Sequence, residues 1–275
     1  MKRILLSLLF VAVAVAIQAQ DAAGVLSLAR RVNDYFVAQN PDPTKPTFVK
    51  KKRTSNLWTR AVYYEGLMDL YSVDPDKRYL EYTDRWGVYH KWTARGSVDD
   101  TNADNQCCEQ TYIDRFAATG DSVMIAPTTE NLNHQMATGR KNYWWWIDAI
   151  QMAMPVYAKY AKISGDRHYL DYAMDCYRDA RDRRGLFNIA DGLWWRDSVY
   201  KAPYKEPDGK NCYWSRGNGW VYAALVRVMK TVDADDPYYK ELLKDYLLMT
   251  HALVKLQRRD GYWNASLVST NYAGP

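Results

Sequence analysis

Apolar positions recur with helical spacing along most of the chain. Leu67, Leu70 and Tyr71 fall on one face of one stretch, and Met152, Val156, Tyr157 and Tyr160 on one face of another. Each stretch ends in a short polar turn and is followed by a second helical pattern. The turns repeat: Asp76-Lys-Arg-Tyr79-Leu80-Glu-Tyr82 returns ninety positions later as Asp166-Arg-His-Tyr169-Leu170-Asp-Tyr172. Gly120-Asp121 lies halfway between, and Asp236-Pro-Tyr-Tyr239 is a fourth version. The corners at 76, 121, 166 and 236 are 45, 45 and 70 residues apart, and each Asp is placed to cap the helix that follows. One more helix is expected over residues 22 to 39.

This pattern predicts an all-α protein made of αα-hairpins. Such hairpins hide their apolar faces by stacking into a solenoid or by closing into a toroid, and step length alone allows both. Closure is favoured by what sits at equivalent places in the repeat. Trp58, Asp104, Asp148 and Trp220 lie 18, 17, 18 and 16 residues before the four corners, where the first helix of each pair should start. If the first helices form an inner ring they run parallel, and these residues gather at one mouth as two carboxylates and an aromatic wall. In the alternative, both Asp residues are simple N-caps. The Trp144-Trp145-Trp146-Ile147 run makes an unusually apolar neighbourhood for a cap at 148.

The last step is longer because the pattern leaves helix between Arg184 and Asn218. Residues 185–192 and 193–200 read as a short β-hairpin turning at Asp191-Gly192, and 201–210 as a charged loop with prolines. Inserts on one face of a toroid commonly wall a binding site.

Composition adds a direction. Eleven Trp and twenty-three Tyr stand against five Phe. A flat apolar face with a polar edge suits sugar rings and wet clefts, and equally an aromatic helical core. The net charge of +5 falls to +3 without Lys2 and Arg3, too mild to argue for nucleic acid. Those two cations precede an apolar run from Ile4 to Ile17 and then Gln18-Ala19-Gln20, the layout of a cleavable export signal over residues 1–19. The run is too short to span a bilayer, and no Cys lies near the cleavage point. A soluble product in the periplasm or outside the cell is expected, with residues 20–275 forming one catalytic domain. Cys107, Cys108, Cys176 and Cys212 show no C-x-x-C or Cys/His ligand spacing and read as buried small residues, a disulfide through Cys212 being the alternative. The four His are scattered, so neither a metal nor a cofactor is expected.

At Tyr213-Trp214-Ser215-Arg216-Gly217-Asn218-Gly219-Trp220 the chain resembles the unsaturated uronyl hydrolases of glycoside hydrolase families 105 and 88, most closely the rhamnogalacturonyl type. Trp146-Ile147-Asp148, with Met152 one turn on, is similar to the segment that carries the catalytic Asp there, and Asp104 falls where the assisting Asp is expected. The resemblance runs from about residue 25 to the end and implies a six-hairpin (α/α) barrel. It also implies hydration of an enol ether. Asp148 gives a proton to C4 of a 4,5-unsaturated uronic acid, water adds at C5, and the hemiketal opens to release the neighbouring sugar. Apolar Trp walls and a like charge at Asp104 would both raise a carboxyl pKa for this role. Arg216 would pair with the substrate carboxylate through its planar fork, the alternative being a structural ion pair. Trp214, Trp220, Trp146 and Trp58 would wall the ring, and Gly217 and Gly219 would let the backbone turn tightly before the helix begins. One departure is Trp195-Arg196, where the family often has a His. It brings Arg196 to the substrate and means that the substrate need not be the rhamnogalacturonan disaccharide.

Two other readings stay open. One is inverting hydrolysis of a saturated glycan by Asp104 and Asp148. The other is a non-catalytic glycan-binding helical repeat protein. A small anionic oligosaccharide is the expected partner in the first reading, and oligomeric state is not readable. One helix and four hairpins fall short of the twelve helices of six pairs, so a ring incomplete at the C terminus is expected.

Overall fold

A computed structural model describes residues 22–270; the segment read as an export signal, and the last five residues, lie outside them. The described chain opens on α1, residues 22–39, where a helix was expected. A small hairpin of β1 (Thr47–Val49) and β2 (Lys51–Arg53) follows, which the apolar pattern does not announce. The helical pairs come next: α2 (Trp58–Val73) with α3 (Lys77–Tyr89), α4 (Ala103–Gln106) and α5 (Glu109–Thr119) with α6 (Ala126–Ala137), α7 (Asp148–Ser164) with α8 (His168–Arg178), and α9 (Ser215–Met229) with α10 (Pro237–Leu256). Among the described residues no helix is long and apolar enough to cross a membrane.

All four corner aspartates cap the segment that follows them. Asp76, Asp121, Asp166 and Asp236 accept from the backbone N–H groups of Arg78, Val123, His168 and Tyr238 at 2.8–3.0 Å. These N–H groups have no partner within their own helices, so Asp76, Asp166 and Asp236 fix where a second helix begins, whereas Asp121 caps the 3-10 turn Ser122–Met124 and α6 starts only at Ala126.

The first helices of the pairs meet around one buried carboxylate. Glu65 of α2 accepts from Gln110 of α5 at 3.1 Å, from Gln151 of α7 at 2.9 Å and from the thiol of Cys107 at 3.1 Å, and Arg227 of α9 lies 3.7 Å away. Arg227 also pairs with Asp69 at 2.9 Å. At the other end of α9, Trp220 meets Trp58 edge-on at 6.4 Å. Helix α9 therefore reaches back to α2 at both ends, as an inner ring requires.

Helix α7 is deeply enclosed, with every residue from Asp148 to Ala158 buried. It contains Pro155, which has no N–H to give to the carbonyl of Gln151 one turn earlier. The side-chain amide of Gln110 fills that place at 2.9 Å. A helix-breaking residue is tolerated here because a neighbouring inner helix completes the ladder.

Four expectations need correction. The second inner helix is broken into α4 and α5 at Cys107-Cys108, both fully buried. The insert hairpin is shorter than 185–200: only β3 (Phe187–Asn188) and β4 (Leu193–Trp194) pair, because Asp197 bridges to Trp146 and caps the 3-10 turn Ser198–Tyr200. Trp220 does not start its helix, since α9 begins five residues earlier at Ser215. Gly217 and Gly219 lie inside α9, neither has a positive φ, and so neither serves as a turn. The four cysteines are free and buried.

Candidate functional site

Asp104 and Asp148 sit at the start of two adjacent inner helices, as second residue of α4 and first residue of α7. Neither is a cap. Asn102 caps α4, accepting from the backbone N–H of Asp104 at 2.9 Å, and α7 has no side-chain cap. Asp148 is 8% exposed, and its Oδ2 is shielded from solvent without a hydrogen-bond partner. A buried carboxyl oxygen left this way favours the protonated acid.

The electrostatics link the two. Burial and, after it, the charge of Asp148 raise the Asp104 pKa to about 6 against the opposing charges of Arg53 and Arg196. Burial also raises Asp148, against its own backbone N–H and the charges of Arg196 and Arg216, while Asp197 pushes it up. Two carboxyls, three guanidiniums and Asp197 therefore act on one another at this mouth.

Local folding explains how each cation arrives. Residues 146 and 147 pair with 196 and 197: Trp146 bridges to Asp197, and the N–H of Ile147 donates to the carbonyl of Arg196 at 2.9 Å. This short ladder runs directly into α7 and sets Arg196 beside Asp148. The Arg196 side chain pairs with buried Asp197 and lies over Tyr200, 5.8 Å from the ring centre. Together with Trp214 and Cys212, Arg196 and Tyr200 line a pocket of about 270 Å³.

The Arg216-Gly217-Asn218 string divides its labour. Arg216 is exposed and stacks over the Trp214 ring at 4.4 Å. It makes no ion pair among the described residues, against the structural-pair alternative. Gly217 is needed for close approach, because a Cβ there would lie 2.7 Å from Trp214 Cε3 and 2.8 Å from Ile147 Cδ1. The missing side chain lets α9 pack directly on the residue that precedes Asp148. Asn218, fully buried, accepts from the N–H of Trp194 at 2.8 Å and donates to the carbonyls of Trp194 at 2.9 Å and Trp214 at 3.0 Å. It clamps β4 to the top of α9.

The structure thus brings together Asp104, Asp148, Arg196 and Arg216, with Trp214 under Arg216. Trp220 lies one turn below Arg216 on the same face of α9 and touches Trp58. Trp146 is 7% exposed and belongs to the core, as does Met152, so both support the site from beneath. Sequence reasoning gave no role to Arg53, Asp197, Glu65 or Gln151. Arg53 stands in a run of four cations that reads as a solvated face. The other three contribute through contacts between distant segments. Among the described residues no cluster of three metal-ligating side chains occurs. Cavity size does not select this mouth: a larger cavity of about 590 Å³ between the insert and α10 contains one carboxylate, Asp191, already held by Tyr213.

Comparison with known proteins agrees with the geometry. The sequence profile described as Glycosyl Hydrolase Family 88 matches residues 28–275. An unsaturated 3S-rhamnoglycuronyl hydrolase from Formosa agariphila is 28% identical over 237 residues, covering 77% of this chain and 60% of the relative. The chain thus spans about three fifths of that relative's length. A solved glycosyl hydrolase family 88 structure from Bacteroides vulgatus superposes with a TM-score of 0.81 at 30% identity, covering 90% of this chain and 72% of that one. A solved structure described as a polysaccharide lyase superposes with a TM-score of 0.83 at 28% identity, covering 92% and 73%. The fold is the helical toroid of these proteins.

Proposed function

The chain belongs to glycosyl hydrolase family 88, and on that premise we propose that it removes a 4,5-unsaturated uronic acid from the non-reducing end of lyase-generated oligosaccharides by hydrating the enol ether. The observation that carries this reading is the pair of Asp104 and Asp148, both with raised proton affinity, beside Arg216, which stacks on Trp214 and has no ion-pair partner among the described residues. Hydration of an enol ether begins with a proton placed on carbon. It needs a carboxyl that still holds its proton near neutral pH and a cation to fix the ring's carboxylate.

Asp148 gives the proton to C4, and the electron pair of the double bond forms the new C–H bond. Positive charge develops at C5 and the ring oxygen. Water adds at C5 and returns a proton to the carboxylate, and the resulting hemiketal opens to release the neighbouring sugar. Arg216 holds the uronate. That contact also tunes the acid: Arg196 and Arg216 lower the proton affinity of Asp148 in the free protein, and a bound carboxylate neutralises part of their charge. Substrate binding thereby shifts the shared proton toward Asp148. Trp214, Trp220 and Trp58 supply the flat faces against which a ring packs.

The resemblance to a polysaccharide lyase offers a test with opposite signs. A lyase creates the conjugated double bond and its ultraviolet absorbance, whereas hydration destroys it. Incubation with a lyase-generated disaccharide is expected to lower that absorbance with release of one sugar. A rise in absorbance from intact polysaccharide, or equal turnover of a saturated disaccharide, overturns the reading.

The cations Lys2 and Arg3 and the apolar run from Ile4 to Ile17 support an exported protein, acting in the periplasm or outside the cell on a small anionic oligosaccharide. Fractionation of cells expressing residues 1–275, with the N-terminal residue of the mature protein sequenced, tests this; intact Met1 in the cytoplasm contradicts it.

A further inference from the structure

The β1–β2 hairpin carries four consecutive cations, Lys50, Lys51, Lys52 and Arg53, and its Arg53 end lies by the mouth. Side chains alternate along a strand, so Lys51 and Arg53 share one face while Lys52 lies on the other, opposite Phe48. Two residues of strand separate the first two by about 7 Å. Their end of the hairpin is tied to the catalytic region by Arg95. Its Nε donates to Oγ1 of Thr54, next to Arg53, at 3.1 Å, and its Nη1 donates to Oδ1 of Asn105, next to Asp104, at 3.0 Å. Arg53 bears electrostatically on Asp104, whereas Arg216 bears on Asp148, so the two guanidiniums bracket the pair.

A solvated charge run accounts for the exposure of Lys50, Lys51 and Lys52, but not for Arg53, whose face of the strand Lys51 shares. Arg53 is half-buried, and its Nε is shielded from solvent with no acceptor. Among the described residues none of the four cations forms an ion pair. A shielded guanidinium N–H without an acceptor is unfavourable by itself and is well matched by the oxygen of an anion. Since Arg216 is the cation available to the uronate, this second cationic face suits a second negative charge on the far side of the scissile bond.

We propose that Arg53 and Lys51 form an anion subsite that holds a sulfate ester or carboxylate on the departing sugar. The proposal rests on the uronyl hydrolase reading and deepens it by naming the leaving group's chemistry.

The test compares three lyase-generated disaccharides that share the unsaturated ring and carry a sulfate ester, a carboxylate or neither on the second sugar. For the unaltered protein kcat/KM is expected to be roughly tenfold or more higher with a charged second sugar than with a neutral one. Which charged substrate leads identifies the source of the charge. In the Lys51→Gln/Arg53→Gln double variant that ratio falls toward one. An equal ratio in protein and variant, or no preference in the unaltered protein, overturns the subsite. Equilibrium binding of saturated counterparts of the same three disaccharides reads the subsite without turnover. A charge-dependent affinity lost in the double variant supports it, and affinity indifferent to charge rejects it. Absence of turnover on all three, with charge-selective binding retained, would fault the catalytic reading alone.

Discussion

After burial, the charge of Asp148 is the strongest influence that keeps a proton on Asp104, which titrates at about 6. The folded protein therefore binds this proton more tightly than the unfolded chain, whose carboxyl titrates near the ordinary 3.8. Stability from this group is fully present below the ordinary value and is lost as pH rises through about 6. Asp104→Asn carries no such loss, so its melting temperature relative to the unaltered protein should rise between about pH 4 and pH 7. A pH-independent difference would contradict the coupling. With the unsaturated substrate, kcat/KM of the unaltered protein should decline above about pH 6 as the shared proton leaves.

Removing the acid separates chemistry from folding. Asp148→Asn should lower kcat by about 10²- to 10⁴-fold, the range for loss of a positioned proton donor. Its thermal stability should be retained or increased, because a buried carboxyl whose charged form is penalised is replaced by a neutral amide. Parallel loss of activity and circular dichroism would instead make Asp148 a structural residue.

Arg216 is exposed and stacked on Trp214, so changing it should leave the fold intact. Arg216→Gln is expected to raise KM by roughly tenfold or more, and Arg216→Lys to recover only part of that, since an ammonium cannot reproduce the planar two-point contact. Full activity with Lys would remove the fork from the argument.

Asn218 makes two buried hydrogen bonds that join β4 to α9 and a third to the carbonyl of Trp214. Asn218→Ala orphans the peptide of Trp194 and should cost about 2–4 kcal/mol, as expected for several unsatisfied buried groups. Chemical denaturation measures this directly. A loss under about 0.5 kcal/mol would mean that solvent reaches the clamp.

Gln110 and Pro155 make a coupled pair. Gln110→Leu leaves the Gln151 carbonyl without its donor at 2.9 Å and removes one partner of Glu65. Adding Pro155→Ala restores a backbone N–H to that carbonyl, so the double variant should recover part of the stability lost by the single one. A double-mutant cycle with no positive coupling would show that the amide's role at Pro155 is incidental.

Much of the fold was legible because its causes are local. Helical spacing, the four capping aspartates and the chain distance from each cap to Trp58, Asp104 and Asp148 are properties of neighbouring residues, and the structure kept all of them. The string around Arg216 was also visible, but its inner logic was not. Gly217 looked like a turn residue, and is instead a gap that Ile147 and Trp214 fill, two segments that meet only in the folded chain. Arg53 was hidden by its lysine neighbours. Glu65 joins four inner helices, and no window of sequence contains its partners.

The sequence by itself determined the helical hairpins, their corners and the residue types available for proton transfer, because periodicity and capping act within a turn or two of chain. Only the tertiary structure decided which charges act on one another. Burial and the approach of Arg53, Arg196 and Arg216 from three separate segments set the proton affinities of Asp104 and Asp148. Those affinities depend on distances through space in a medium of low dielectric, which spacing along the chain does not encode.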